Sequence, residues 1–229
     1  MTITTCIFDA YGTLFDVSAA AREAAGEPGR EALAACWQKL AADWRSKQLQ
    51  YTWHRALVRE HQAFWQVTQD GLDWALEANH LAGDDALRQR LLQLYWELSA
   101  YREVPAMLAA LKAAGMNTAI LSNGSPDMLS GAVKSAGLEG VLDDVLSVED
   151  VGIFKPAPEV YEMVTSRFKC PRRHVLFVSS NCWDALAASG YGFNAVWVNR
   201  AGEPLDNLGH KPREILSDLT RIPELAKAF

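Results

Sequence analysis

The chain is poor in the features that would place it outside the ordinary globular class. It has only four cysteines in 229 residues, Cys6, Cys36, Cys170 and Cys182, scattered with no Cys-x-x-Cys. That spacing predicts free thiols and no zinc centre. No apolar run is long enough to span a bilayer. No basic region precedes the short apolar stretch at the N-terminus, so no signal peptide is predicted and the expected setting is cytoplasmic. The net charge is -6, the wrong sign for a nucleic-acid partner, although a local Arg or Lys can still hold a small anion. There is no Gly-x-Ser-x-Gly elbow, P-loop, internal repeat or low-complexity tract. Gly190-Tyr191-Gly192-Phe193-Asn194-Ala195 spells a dinucleotide fingerprint but precedes a predicted strand instead of following one. The five histidines show no ligand spacing and read as structural or surface residues.

What is present is an apolar run, Ile3 to Phe8, short enough for one buried strand and ended by the carboxylate of Asp9. Gly12 then permits a sharp turn. From Asp16 to about Tyr101 the periodicity is helical. Leu33, Trp37, Leu40 and Trp44 predict one helix face, and Phe64, Thr68, Leu72, Ala75 and Leu76 a second. Asp84 is placed to cap a third helix, buried through Leu87, Leu91, Leu94 and Leu98. Six of the eight tryptophans fall in this stretch (Trp37, Trp44, Trp53, Trp65, Trp74 and Trp96), and most are expected inside it.

From Glu103 onward, apolar strands alternate with helices. The predicted strands are Thr118–Leu121, Val145–Val148, Val175–Val178 and Asn194–Val198. Such a pattern predicts an α/β fold with a Rossmann-like parallel sheet covered by helices on both faces. Residues 1–16 and 102–229 would form that core, and 17–101 a helical cap inserted after the first strand.

In a parallel sheet the strand ends converge on one edge, outside which ligands bind. Asp9, Ser122-Asn123 and Ser179-Ser180-Asn181 all end strands. Each alone reads as a turn, Asp9 included. Together with Lys155 and Asp184 they read as a site, with Asp9 its candidate nucleophile.

The segment Phe8-Asp9-Ala10-Tyr11-Gly12-Thr13-Leu14-Phe15-Asp16 resembles the first motif of the haloacid dehalogenase superfamily, in its L-2-haloacid dehalogenase branch. Leu121-Ser122-Asn123-Gly124-Ser125-Pro126, Lys155-Pro156 and Ser179-Ser180-Asn181-Cys182-Trp183-Asp184 are similar to the later motifs, in order. The resemblance implies an (S)-2-haloacid dehalogenase that makes (R)-2-hydroxy acids and halide through an Asp9 ester, with no cofactor. Arg45, in Trp44-Arg45-Ser46-Lys47-Gln48-Leu49, matches the residue that binds the departing halide; by itself it would read as an exposed helix arginine. Tyr11, Leu49, Phe64 and Trp183 match apolar pocket positions. Ser122 matches the contact to the substrate carboxylate, and Asn123 a partner of Arg45 at the leaving group. Thr13, Ser179 and Asn181 match residues that position Asp9, the water or Lys155. Asp184 matches the activator of the water, and Lys155 supplies a cation beside Asp9. The family resemblance also implies a homodimer.

Superfamily phosphatases typically carry a second Asp where this chain has Tyr11, and acids that hold magnesium where it has Ser179 and Asn181. A phenol is a poor general acid at neutral pH, and Asp9 and Asp184 alone make a thin Mg²⁺ site, so no metal is expected. Phe154 stands where relatives often have Tyr, and Gln50 where Glu is common. Two further readings use the same scaffold: a hydrolase, either a phosphatase or one opening a strained cyclic amino acid, and a non-catalytic binding protein.

Overall fold

The computed structural model describes residues 2–229. The first strand, β1 (Thr5–Phe8), is buried at every position, as a strand covered on both faces must be. Six helices precede the next strand; the first five are α1 (Ala19–Ala25), α2 (Glu31–Ala34), α3 (Trp37–Val58), α4 (Phe64–Ala78) and α5 (Asp85–Trp96). The remainder alternates: α6 (Val104–Ala113), β2 (Asn117–Ser122), α7 (Pro126–Ser135), β3 (Asp144–Ser147), α8 (Pro158–Phe168), β4 (Val175–Ser179), α9 (Cys182–Tyr191), β5 (Asn194–Val198), β6 (Glu214–Leu216) and α10 (Ile222–Ala228).

All six strands are parallel, in the order β3-β2-β1-β4-β5-β6. The chain reverses its direction of travel across the sheet between β1 and β4, the switch point at which a ligand crevice forms. Phe8 is in register with Ile120 and Val178. Asp9, Leu121 and Ser179 therefore leave the sheet at the same level.

The two chain segments that join α1–α5 to the sheet run side by side. Asp16 N–H donates to Ser99 O at 3.0 Å and Tyr101 N–H to Leu14 O at 2.9 Å. Helices α3 and α4 pack closely where Gly71 lies, since a Cβ there would stand 3.3 Å from Gln48 N and 3.4 Å from the Trp44 indole. The Trp44 indole N–H is satisfied by Thr68 O at 2.8 Å.

Several details depart from the periodicity. The stripe from Leu33 to Trp44 is buried or half-buried as predicted, but it crosses a break at Ala35–Cys36 between α2 and α3. The buried stripe of α3 continues as Gln48 and Thr52, which are polar. Leu98 is buried yet lies beyond the end of α5. Asp84 does cap that helix, accepting from Leu87 N. The tryptophans differ most from expectation. Of the six, only Trp44 is buried, Trp37, Trp65 and Trp96 are half-buried, and Trp53 and Trp74 are exposed. Five helices laid on a sheet edge have little interior, so the large rings pack at the surface: Trp65 edge-on against Trp96 at 4.9 Å, and Lys47 over Trp74 at 4.2 Å. The three-residue β6, with Ile215 49% exposed, extends the sheet beyond the last predicted strand.

Candidate active site

The crevice at the switch point contains a chain of charged groups in which one ammonium serves two carboxylates. Lys155 Nζ donates to Asp9 Oδ1 at 3.1 Å and to Asp184 Oδ2 at 2.9 Å. All three side chains are buried. Burial works against the Lys155 ammonium, but Asp184 and then Asp9 outweigh it and hold its pKa above the ordinary lysine value. Burial pushes the Asp184 carboxyl up from the usual aspartate value, and Lys155 opposes that shift. Tyr161 O–H donates to the other oxygen of Asp184 at 2.7 Å.

The second oxygen of Asp9 has two donors. Thr13 Oγ1 and Asn181 Nδ2 both reach Oδ2, each at 3.0 Å. An ionised carboxylate offers about four lone-pair sites; with three of them used, one remains for a reacting atom. Thr13 Oγ1 also accepts from Ser180 N at 2.8 Å, tying the β1 turn to the β4 turn. That turn is tight: Gly12 has φ +89°, and a Cβ there would come within 3.0 Å of Ser180 Oγ. Ser179 Oγ accepts from Asn181 N at 3.2 Å, which fixes the residue that holds Asp9.

Arg45 reaches the crevice from α3. Its Nη2 donates to Tyr11 O at 3.2 Å and to Asn181 Oδ1 at 3.3 Å, and its Nη1 to Gln48 Oε1 at 2.8 Å. The Asn181 carboxamide therefore links Arg45 to Asp9, with its orientation set at both ends. Buried Gln48 continues the chain, donating to Thr68 Oγ1 at 2.8 Å and pairing with Tyr95 O–H. The Tyr95 ring stacks on Tyr11 at 5.6 Å. Burial carries the Tyr11 hydroxyl well above the usual tyrosine pKa.

These groups line a small, nearly filled cavity bounded by Asp9, Tyr11, Arg45, Leu49, Phe64, Ser122, Asn123, Lys155, Asn181 and Trp183. Thr13, Ser179 and Asp184 stand behind it, in contact with Asp9, Asn181 and Lys155 respectively. Asn123 and Arg45 both line the cavity. Asn123 Oδ1 accepts from Lys155 N at 3.0 Å, and the carboxamide bonded directly to Arg45 is that of Asn181. The β2 turn leaves Asn123 aimed at the Lys155 backbone, on the opposite side of Asp9. Ser122 Oγ accepts from Gly124 N at 3.0 Å. Gly124 is required there, because a Cβ would lie 2.7 Å from the Tyr11 ring.

Sequence reading did not single out Gln48, Tyr95 or Tyr161 as site residues. Only the position of Gln48 carried a signal, one turn from Arg45 on the same helix face. Phe154 is fully buried and packs on His61 at 4.6 Å, while Gln50 is exposed and bonded to Lys47.

Magnesium does not fit this donor set. The Lys155 ammonium occupies the approach shared by Asp9 and Asp184. Among the described residues no three His, Cys, Asp or Glu side chains cluster to hold an ion.

Lys155→Met should cost about 3–5 kcal/mol at pH 8, because both carboxylates lose their buried counterion. In the wild type the Lys155 contribution is complete below the ordinary lysine value of 10.5 and fades only as pH rises past the raised one. The variant's deficit should therefore shrink at pH 5, where Asp184, already biased upward, can take a proton. Urea unfolding of both proteins at the two pH values measures this, and equal deficits would contradict it.

Comparison with known proteins shows the family. A model of the haloacid dehalogenase-like hydrolases matches residues 3–192. The chain is 43% identical to (S)-2-haloacid dehalogenase 1 of Pseudomonas sp. strain CBS-3, over 97% of this chain and 96% of that one. It superposes on a crystal structure of a dehalogenase with an intermediate complex at TM-score 0.93 and 39% identity, covering 99% of this chain and 98% of the other. It also superposes on L-2-haloacid dehalogenase from Xanthobacter autotrophicus with chloropropionic acid covalently bound, at TM-score 0.87 and 32% identity over the whole of both chains. With its sheet order, its strand-end aspartate and its near full-length match to these enzymes, the chain belongs to the haloacid dehalogenase-like hydrolase family.

Proposed function

We propose that this protein is a hydrolytic dehalogenase of small (S)-2-haloacids, yielding (R)-2-hydroxy acids and halide through an ester on Asp9. The observation that carries the reading is the pairing of a donor-held carboxylate with an arginine across one small, closed cavity. In this reading residues 1–16 and 102–229 are the catalytic core and 17–101 the cap. A homodimer belongs to the proposal through the family resemblance, and a cytoplasmic setting through the sequence, which shows no signal-peptide pattern. Among the described residues no helix is long and apolar enough to cross a membrane.

Substrate lies with its carboxylate toward Ser122, whose hydroxyl is oriented by Gly124 N–H, and with its halogen toward Arg45. Asp9 attacks C2 from the face opposite the halogen. The C2–O bond forms as the carbon–halogen bond breaks, the halide leaves with the electron pair, and C2 inverts. The Arg45 guanidinium is already oriented by Gln48, Tyr11 O and Asn181, so it stabilises the departing charge without reorganising. Tyr11, Leu49, Phe64 and Trp183 exclude water from the nucleophile.

In the second step water loses a proton toward Asp184 and attacks Cγ of Asp9. The Cγ–O bond to the substrate breaks, the C2–O bond survives, and the hydroxy acid departs with Asp9 restored. Water, haloacid, hydroxy acid, halide and one proton balance. A phosphatase would need a proton donor at the Tyr11 position. A hydroxyl held well above the usual tyrosine pKa does not supply one near neutrality.

Halide release is the direct assay. It should occur from L-2-chloropropionate and not from the D enantiomer, at the same rate with and without a chelator. Release from the D form, or a requirement for added Mg²⁺, would contradict the proposal. Arg45→Ala should lower turnover about a hundredfold or more while leaving the fold intact; near-normal turnover would remove Arg45 from the halide site.

A further inference from the structure

Helix α3 carries four side chains one turn apart, Arg45, Leu49, Trp53 and Leu57, which share a face. Exposure rises along the stripe. Arg45 and Leu49 are half-buried and line the catalytic cavity. Trp53 is 36% and Leu57 84% exposed, and both line a separate, open groove of about 500 Å³. The core side makes the same passage: Lys155 faces the cavity and the next residue, Pro156, the groove. Among the described residues no charged or hydrogen-bonding side chain other than the two indoles lines the groove, and Leu208 is part of its wall.

One residue, Trp183, belongs to both spaces. Its ring meets Trp53 edge-on, centroids 5.5 Å apart at 88°. Neither indole N–H has a hydrogen-bond partner among the described residues, so packing alone holds the pair. A second aromatic, Phe154, lies in the groove wall and packs against Phe64 of the cavity at 6.3 Å.

Resting on the dehalogenase reading above, we infer that Trp53 sets the chain-length limit of the substrate. It braces Trp183 as a partition, and the groove behind is the space an alkyl chain on C2 enters when the brace is removed. Trp53 touches no reacting atom and acts through Trp183, so it is a positioning residue. The occupant follows from the lining: an apolar passage opening beside the C2 pocket suits a hydrocarbon tail, not a second carboxylate.

The test compares kcat/KM for (S)-2-bromohexanoate and (S)-2-bromopropionate. Trp53→Ala should raise the hexanoate-to-propionate ratio about tenfold or more, the scale on which apolar pockets discriminate methylenes. The gain should appear mainly in KM, as for binding made equally in ground and transition states. Trp53→Phe should keep the wild-type ratio. Adding Leu208→Asp to Trp53→Ala should cancel the gain by placing a charge in the tail's path. Thermal melts and sedimentation accompany each variant. An unchanged ratio in folded Trp53→Ala overturns the inference. If sedimentation also shifts, the groove belongs to a contact with a second copy. No halide from bromopropionate with the wild type would defeat the dehalogenase reading itself, and this inference with it.

Discussion

The structure depends on one buried ammonium held between two carboxylates. Lys155 and Asp184 are inaccessible, and Asp9 is buried but for the side that faces the cavity. Such a group is stable only while every partner stays in place. Strand β1 delivers Asp9, the first turn of α9 delivers Asp184, and the loop before α8 delivers Lys155, whose backbone N–H is held by Asn123 from the β2 turn. Four separate segments are thereby fixed to within hydrogen-bond distance at the sheet's switch point. The cost of misplacing any of them is an unpaired buried charge. The same ammonium takes the position between carboxylates that a metal would need, so charge neutralisation here is built into the chain.

The second element of order comes from the inserted helices. Arg45 would be a mobile side chain on an ordinary helix. Here Gln48 holds one arm, Tyr11 O and Asn181 hold the other, and Thr68 and Tyr95 hold Gln48. The buried polar positions of α3 form a network that aims one cation at the cavity. This accounts for one polar break in the buried stripe of the helix, Gln48, which holds Arg45; the next, Thr52, donates to Leu49 O of its own helix.

Much of this was legible in the sequence, for identifiable reasons. β1, β2, β4 and β5 are continuous apolar runs with polar residues at their C-terminal ends, and that pattern alone points to a sheet edge carrying Asp9, Ser122 and Ser179. β6 escaped notice because it is three residues long at the sheet's edge, with Ile215 facing water. The break between α2 and α3 has no Gly or Pro to mark it. Arg45 and Leu49 needed the family resemblance, since a helix arginine beside an apolar stripe is usually solvated. Tyr95 and Tyr161 left no local trace. Each matters through a partner 47 or 23 residues away, and such pairings are set by packing between elements. The tryptophans show the limit of reading burial from residue type: Trp65 and Trp96 pair with each other, and Trp53 with Trp183, without being fully buried.

The central claim is that Asp9 itself becomes bonded to C2, and not that it activates a water for direct attack. Both routes release halide and invert C2, so neither product assay separates them. Oxygen transfer does. In a single turnover in heavy-oxygen water with enzyme in excess, the covalent route gives a first hydroxy acid with ordinary oxygen at C2 and leaves the label on peptides containing Asp9. If the first product already carries the heavy oxygen and Asp9 carries none, Asp9 is a general base and the ester mechanism is wrong.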